Sequence, residues 1–246
     1  MHFPEFFQRV PRLRVRDPLA EFLGTAQDGL LEYGYEDAVR LAGHSCPTVA
    51  SAYVMACRAM TMLHGQGVPE RGNLRLAFAD DLEQGVTGVI ASVFGLLTGA
   101  AQEGGFKGLG GQFVRRGLQQ FGAAIPLAVR LTRIDTGEAV DAAADLSRVP
   151  AHGDMSLLLG RCIRDEADAV ERRRFGQLWQ ERVARILLEH WQDDEVFQLG
   201  AGKRRTESPG ATAFDAARWR RVTAIRVSMA RVPGTRATGS GAVKGV

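Results

Sequence analysis

The spacing of apolar residues changes from segment to segment along this chain, and the changes mark out its elements. Over residues 35–41 the run YEDAVRL sets Ala38, Val39 and Leu41 against Glu36, Asp37 and Arg40, which predicts a short amphipathic helix. Residues 47–63 are apolar almost all round, with Ala50, Ser51, Ala52, Ala56 and Ala59 among them. Such a helix is buried, and its small residues let neighbours come close. Pro47 suits its first position, where the missing N–H would be unpaired anyway. NLRLAFA at 73–79 alternates and predicts a strand, and 86–97 predicts a second buried helix rich in small residues.

Farther along, LAVRLTRI and AVDAAADL alternate on either side of DTGE. That pattern predicts a hairpin over 126–146, with Gly137 supplying the turn. Residues 166–190 predict a charged helix with an apolar stripe of Val170, Leu178, Val183, Ile186 and Leu187. EVFQL at 195–199 predicts an edge strand. At the front, 1–27 read as an arm that packs through Phe3, Phe6, Phe7 and Phe22. At the back, 200–231 read as a linker and C-terminal extension. The Gly-, Ser- and Thr-rich 232–246 read as a disordered tail, with almost nothing apolar to bury.

Composition narrows the class. At 246 residues, with 45% hydrophobic and 24% charged residues, the chain can fill a sizeable core. A net charge of +3 does not by itself call for nucleic acid. Three cysteines, Cys46, Cys57 and Cys162, are too few and too scattered for a disulfide framework. The first residues lack a signal peptide's apolar core, and the longest apolar stretch is short of the ~20 residues that span a bilayer. The expectation is a soluble, cytoplasmic protein with no membrane contact.

Candidate chemistry gathers at 42–48, AGHSCPT. Cys46 precedes Pro47, so it falls at the N-cap of the buried helix, where the helix dipole favours a thiolate. A thiolate binds metal or attacks an electrophile, which makes Cys46 the candidate nucleophile as well as a ligand. His44 lies two residues back and supplies a second donor of the four that a tetrahedral zinc takes. The plain structural alternative is a small buried Cys and a satisfied loop His. Cys57 and Cys162 read as core. His64 stands at the far end of the same helix, roughly 25 Å away at ~1.5 Å per residue, too far to share an ion. His152 reads as solvent-exposed and His190 as a helix-end residue. Asp80 and Asp81 offer a third ligand or a base, with a helix cap as the alternative.

A second candidate is the Gly-rich stretch 98–117, TGAAQEGGFKGLGGQFVRRG. Lys107, Arg115 and Arg116 bring positive charge, and the glycines let backbone approach a ligand. Lys107 and Gly108 are the candidate ligand- or cofactor-binding residues for a small anionic molecule. The alternative is a surface loop, or one ordered across a dimer interface. ERRRFGQLWQERVAR at 171–185 is basic with two aromatics, but Glu171 and Glu181 interleave, which reads as a solvated face rather than a nucleic-acid site.

GHSCPTVASAYVMACRAM resembles the opening motif of the FmdE family, named for a component of formylmethanofuran dehydrogenase: a G-H-x-C-P signature leading into a small-residue helix. LLTG at 96–99, GGFKGLG, RIDTGEAV and FGQLWQERVARIL follow in an order similar to the family's, so that the similarity spans roughly 28–199. The resemblance implies a single α+β domain, an antiparallel or mixed sheet packed against small-residue-rich buried helices. It also implies a homodimer, and zinc or another divalent transition metal near His44 and Cys46. Two departures stand out. Ala100 occupies a position where the family often has Cys, and no Cys follows Cys162 to form the zinc ribbon that many members carry. An open metal site is therefore expected rather than a closed one. Three functions remain: an enzyme acting on a small anion, an accessory protein that holds or delivers a metal or cofactor to a partner metalloenzyme, and a metal-free thiol redox sensor.

Overall fold

The structure, a computed structural model, describes residues 3–202. The linker beyond Gly202 and the tail at 232–246 lie outside the described residues. Within them the chain is an α+β domain built from two sheets and six α-helices.

The hairpin forms as the alternation predicts. β5 (Val129–Arg133) and β6 (Ala139–Ala144) pair antiparallel, with Leu131 opposite Val140. β3 (Leu74–Phe78) joins the far side of β5, also antiparallel, with Leu76 opposite Leu131. β4 (Gln119–Gln120) adds a short parallel partner to β3, and β7 (Phe197–Gly202) flanks β6. The order is β4-β3-β5-β6-β7, so β7 is an edge among the described residues, but it starts two residues later than the predicted 195–199 and takes in 200–202, which had read as linker.

One face of this sheet carries Leu74, Leu76, Phe78, Val129, Leu131, Val140 and Phe197, all buried. Helices α3 (Pro47–His64) and α4 (Thr87–Thr98) cover it. Twelve of the 18 residues of α3 are buried, because its alanines let α4 and β6 close on it from different sides. A helix so enclosed needs no polar face, which is why its sequence is apolar all round. Phe78 and Phe94 meet edge-on at 6.2 Å in the centre of this core.

The first residues join the same core. Phe7, Val10, Leu13 and Val15 are buried, and Phe7 packs edge-on against Tyr35 at 4.8 Å. β1 (Leu13–Arg16) pairs with β2 (Leu30–Tyr33) as a separate antiparallel ribbon. The Tyr53 hydroxyl ties α3 to that ribbon, lying 2.9 Å from the Pro11 carbonyl oxygen and 3.0 Å from that of Tyr33. Phe22 departs from its expected packing. It ends the short helix α1 (Pro18–Phe22), is 66% exposed, and touches the ring of Phe113.

Helix α2 (Tyr35–Ala42) leads into the 42–48 turn. α5 (Met155–Ile163) and α6 (Ala169–Ala184) form a hairpin at the other end, and α6 widens into a π-turn over Arg185–Glu189. Four of the five predicted stripe residues are buried, but Val170 is 64% exposed. It sits in the first turn of α6, just after the Asp168 cap. No helix among the described residues is long and apolar enough to cross a membrane.

Candidate functional site

Cys46 takes the predicted N-cap position. Its backbone is extended (φ −145°, ψ 166°), and its Sγ accepts the Val49 N–H at 3.5 Å. The sulfur therefore lies at the positive end of an 18-residue helix, in the place that a Ser or Asp oxygen takes at other helix starts. Cys57, three turns farther along α3, is buried in the core beside Tyr53. Burial pushes its thiol up to about 12, so it is held neutral.

His44 is exposed, and its Nδ1 lies 2.9 Å from the carbonyl oxygen of Ala42. A carbonyl only accepts, so Nδ1 is the donor, and in the neutral ring Nε2 is the nitrogen that carries the lone pair. Between the two candidate ligands, Ser45 is clamped. Its carbonyl oxygen accepts from Trp179 Nε1 at 3.0 Å and from Gln180 Nε2 at 3.2 Å. Its hydroxyl donates to Gln180 Oε1 at 3.0 Å and lies 2.9 Å from the Tyr35 hydroxyl. Two residues of α6, 134 and 135 positions away in sequence, thus fix the turn that presents His44 and Cys46.

Other expected contributors stay apart from this turn. Among the described residues no group of three or more His, Cys, Asp and Glu side chains gathers to hold a metal ion. Asp80 and Asp81 lie in the turn after β3, and the N-cap of α4 is Val86, with no side-chain cap, so neither aspartate caps it. His64 donates from Nδ1 to Met60 O at 2.9 Å at the opposite end of α3. His190 bonds to Asp193, and His152 accepts from the Asp154 N–H.

Comparison with known protein families and with curated proteins finds no match for this chain.

The Gly-rich loop is organised by a different centre, one that sequence reading missed. Arg115 is buried and turns inward, its Nη2 2.7 Å from Asp17 Oδ1. Arg71 Nη1 meets the other oxygen, Asp17 Oδ2, at 2.7 Å, and Arg71 also donates to the Leu96 carbonyl. Asp17 caps α1 through the N–H groups of Leu19 and Ala20. Burial raises its carboxyl, but the Arg71 hydrogen bond and the Arg115 and Arg71 charges outweigh this and hold it below its ordinary 3.8. One carboxylate therefore pins α1, the end of α4 and the Gly-rich loop together.

Lys107 and Arg116 remain exposed on that loop. Gly108 has a local reason to be Gly: at φ +88° a Cβ there would lie 2.3 Å from the Gln112 carbonyl oxygen. That clash is with the loop's own backbone, which closes through the Leu109–Gln112 bridge. Several basic residues of 171–185 are engaged in the fold, while Arg173 and Arg174 are exposed. Arg182 donates to Val149 O and Leu146 O, Arg185 to Pro150 O, and Arg172 pairs with Asp165.

Proposed function

We propose that the chain binds zinc or a similar divalent transition metal through His44 and Cys46, in an open site whose other positions fall to water or a small ligand. The observation that carries this reading is the contact of His44 Nδ1 with the Ala42 carbonyl, which turns the other ring nitrogen, Nε2, away from it. Histidines that ligate metals are held in this way by a second hydrogen-bond acceptor. The Cys46 sulfur supports it by its place, at the N-cap of α3 two residues from His44 in the same turn. The clamp on Ser45 supports it too, because ligands on a rigid turn lose little freedom on binding.

Two protein donors leave a tetrahedral ion half open. When bound, such an ion supplies a Lewis acid or an exchangeable cargo, which fits an enzyme on a small molecule and a metal carrier alike. Cobalt(II) substitution tests the site by spectroscopy. The wild-type chain should develop a near-ultraviolet sulfur-to-metal charge-transfer band on titration, and Cys46→Ser should not. A titration that leaves the wild-type spectrum flat would return Cys46 to the metal-free thiol reading.

We further propose that the chain works as a homodimer. Helix α3 gives little support for this, because twelve of its 18 residues are buried inside the single chain. Support comes from the Gly-rich loop, where Phe106, Leu109 and Val114 are exposed and Phe113 packs against the exposed Phe22. Phe113 also holds φ +60°, a conformation that costs a bulky residue energy and persists where surroundings enforce it. Light scattering of the full chain at micromolar concentration should give twice the mass of one chain. The mass of a single chain would remove the dimer.

A further inference from the structure

The second face of the five-stranded sheet has no role in the metal reading. Side chains alternate along strands, so the face opposite α3 and α4 presents Arg75 and Ala77 from β3, Arg130 and Thr132 from β5, and Gln120 from β4. Small residues make its floor, and the chain at Ile125 and Ile134 walls it, leaving a groove of about 850 Å³. That volume lies within the range of small-molecule sites.

Register places the polar groups together. Arg75 stands opposite Thr132, and Ala77 opposite Arg130. Arg75 and Arg130 are therefore diagonal neighbours, with Cα atoms about 7–8 Å apart, and Thr132 shares their face, opposite Arg75 and two residues along from Arg130. Gln120 lies on the other side, next to Ala77. Arg130 is held rigid: its Nε and Nη2 bond the two oxygens of buried Asp141 at 2.6 and 2.8 Å, which leaves Nη1 for the groove. Arg75 is exposed and has no ion pair or hydrogen bond from its side chain among the described residues. The Thr132 hydroxyl and the Gln120 amide are equally unengaged among those residues.

Charge then selects the ligand. Asp141 neutralises Arg130, and Asp135 neutralises Arg133 at the groove's rim. Arg75 is left as the one uncompensated charge in the groove among the described residues. We infer that this face is a binding site for a small organic monocarboxylate, its carboxylate shared by Arg75, Arg130 and Thr132 and its apolar body lying over Ala77 between the isoleucine walls. A dianionic phosphate would leave one negative charge unmatched. The site is independent of His44 and Cys46.

Benzoate serves as the probe, with acetate and phenyl phosphate as comparators, titrated calorimetrically into the full chain at low ionic strength. Benzoate should saturate, and acetate should bind less tightly for want of an apolar body. Arg75→Ala should weaken benzoate about ten- to a hundredfold, the loss of one charge-assisted hydrogen bond, with no change in melting temperature because the residue is exposed. Thr132→Val should weaken it less, and raised salt should weaken it in the wild type. Absence of saturation with benzoate, or equal affinity in Arg75→Ala, would overturn the site. Phenyl phosphate binding more tightly than benzoate would overturn the monocarboxylate assignment.

Discussion

Asp17→Ala should destabilise the chain by about 3–5 kcal/mol, the cost of stranding buried charge when one partner of an ion pair is removed. For a chain of this size that is a fall in melting temperature of roughly 6–20 °C. Arg115 has 8% of its side chain exposed and Arg71 21%, so neither guanidinium can recover its lost partner by turning to water in place. Asp17→Asn separates the two roles of the residue. It keeps an oxygen to cap α1 and loses the charge, so it should retain roughly 1 kcal/mol that Ala loses. The same carboxylate makes the fold acid-sensitive. Its pKa is depressed in the folded state, so its contribution is complete above the ordinary 3.8 and is lost as pH falls below that value. Chemical denaturation from pH 7 down to about pH 2 should show a larger loss in the wild type than in Asp17→Asn, which keeps only the loss due to the other carboxylates. Equal stability of wild type and Asp17→Ala at neutral pH would show that the three charges do not act together.

Gly72→Ala should be nearly as damaging, although it adds a single methyl group. Gly72 has φ +88°, outside the conformations open to other residues, which alone costs about 1–3 kcal/mol. The added Cβ would also lie 1.3 Å from Arg115 Nη1 and 2.0 Å from its Cζ. The guanidinium packs directly on Gly72, so the substitution must drive it off Asp17. The damage therefore overlaps with that of Asp17→Ala, and a double-mutant cycle should show the pair less destabilised than the sum of the singles. Additive losses would mean that Gly72 acts through its backbone alone.

Much of the fold could be read from periodicity. The two buried helices, the 126–146 hairpin and the strand at 74–78 formed where the spacing put them, because in each the local pattern and the tertiary environment agree. Helix α5 was harder to see: Leu157 and Ile163 are exposed, so apolar residues mark no single face. β1, β2 and β4 are two to four residues long, too short for alternation to register. The Asp17–Arg71–Arg115 centre left no trace, since ion pairs 54 and 98 positions apart follow no local pattern. One signal was present in retrospect, two adjacent arginines in a Gly-rich loop, of which one points inward and one outward. At the candidate metal site the N-cap place of Cys46 was legible from Cys-Pro before an apolar run. Trp179 and Gln180 were not, because nothing on α6 says which carbonyl they meet.

Metal content tests the central claim most directly. Elemental analysis of untagged wild-type chain, His44→Ala and Cys46→Ser should be run in parallel with circular dichroism. Ser is itself a good N-cap, so Cys46→Ser keeps the start of α3 while removing the sulfur. Zinc or another transition metal is expected in the wild type and should be lost from both variants, with the fold unchanged. Equal metal content in all three, or none in the wild type, would contradict the His44–Cys46 site.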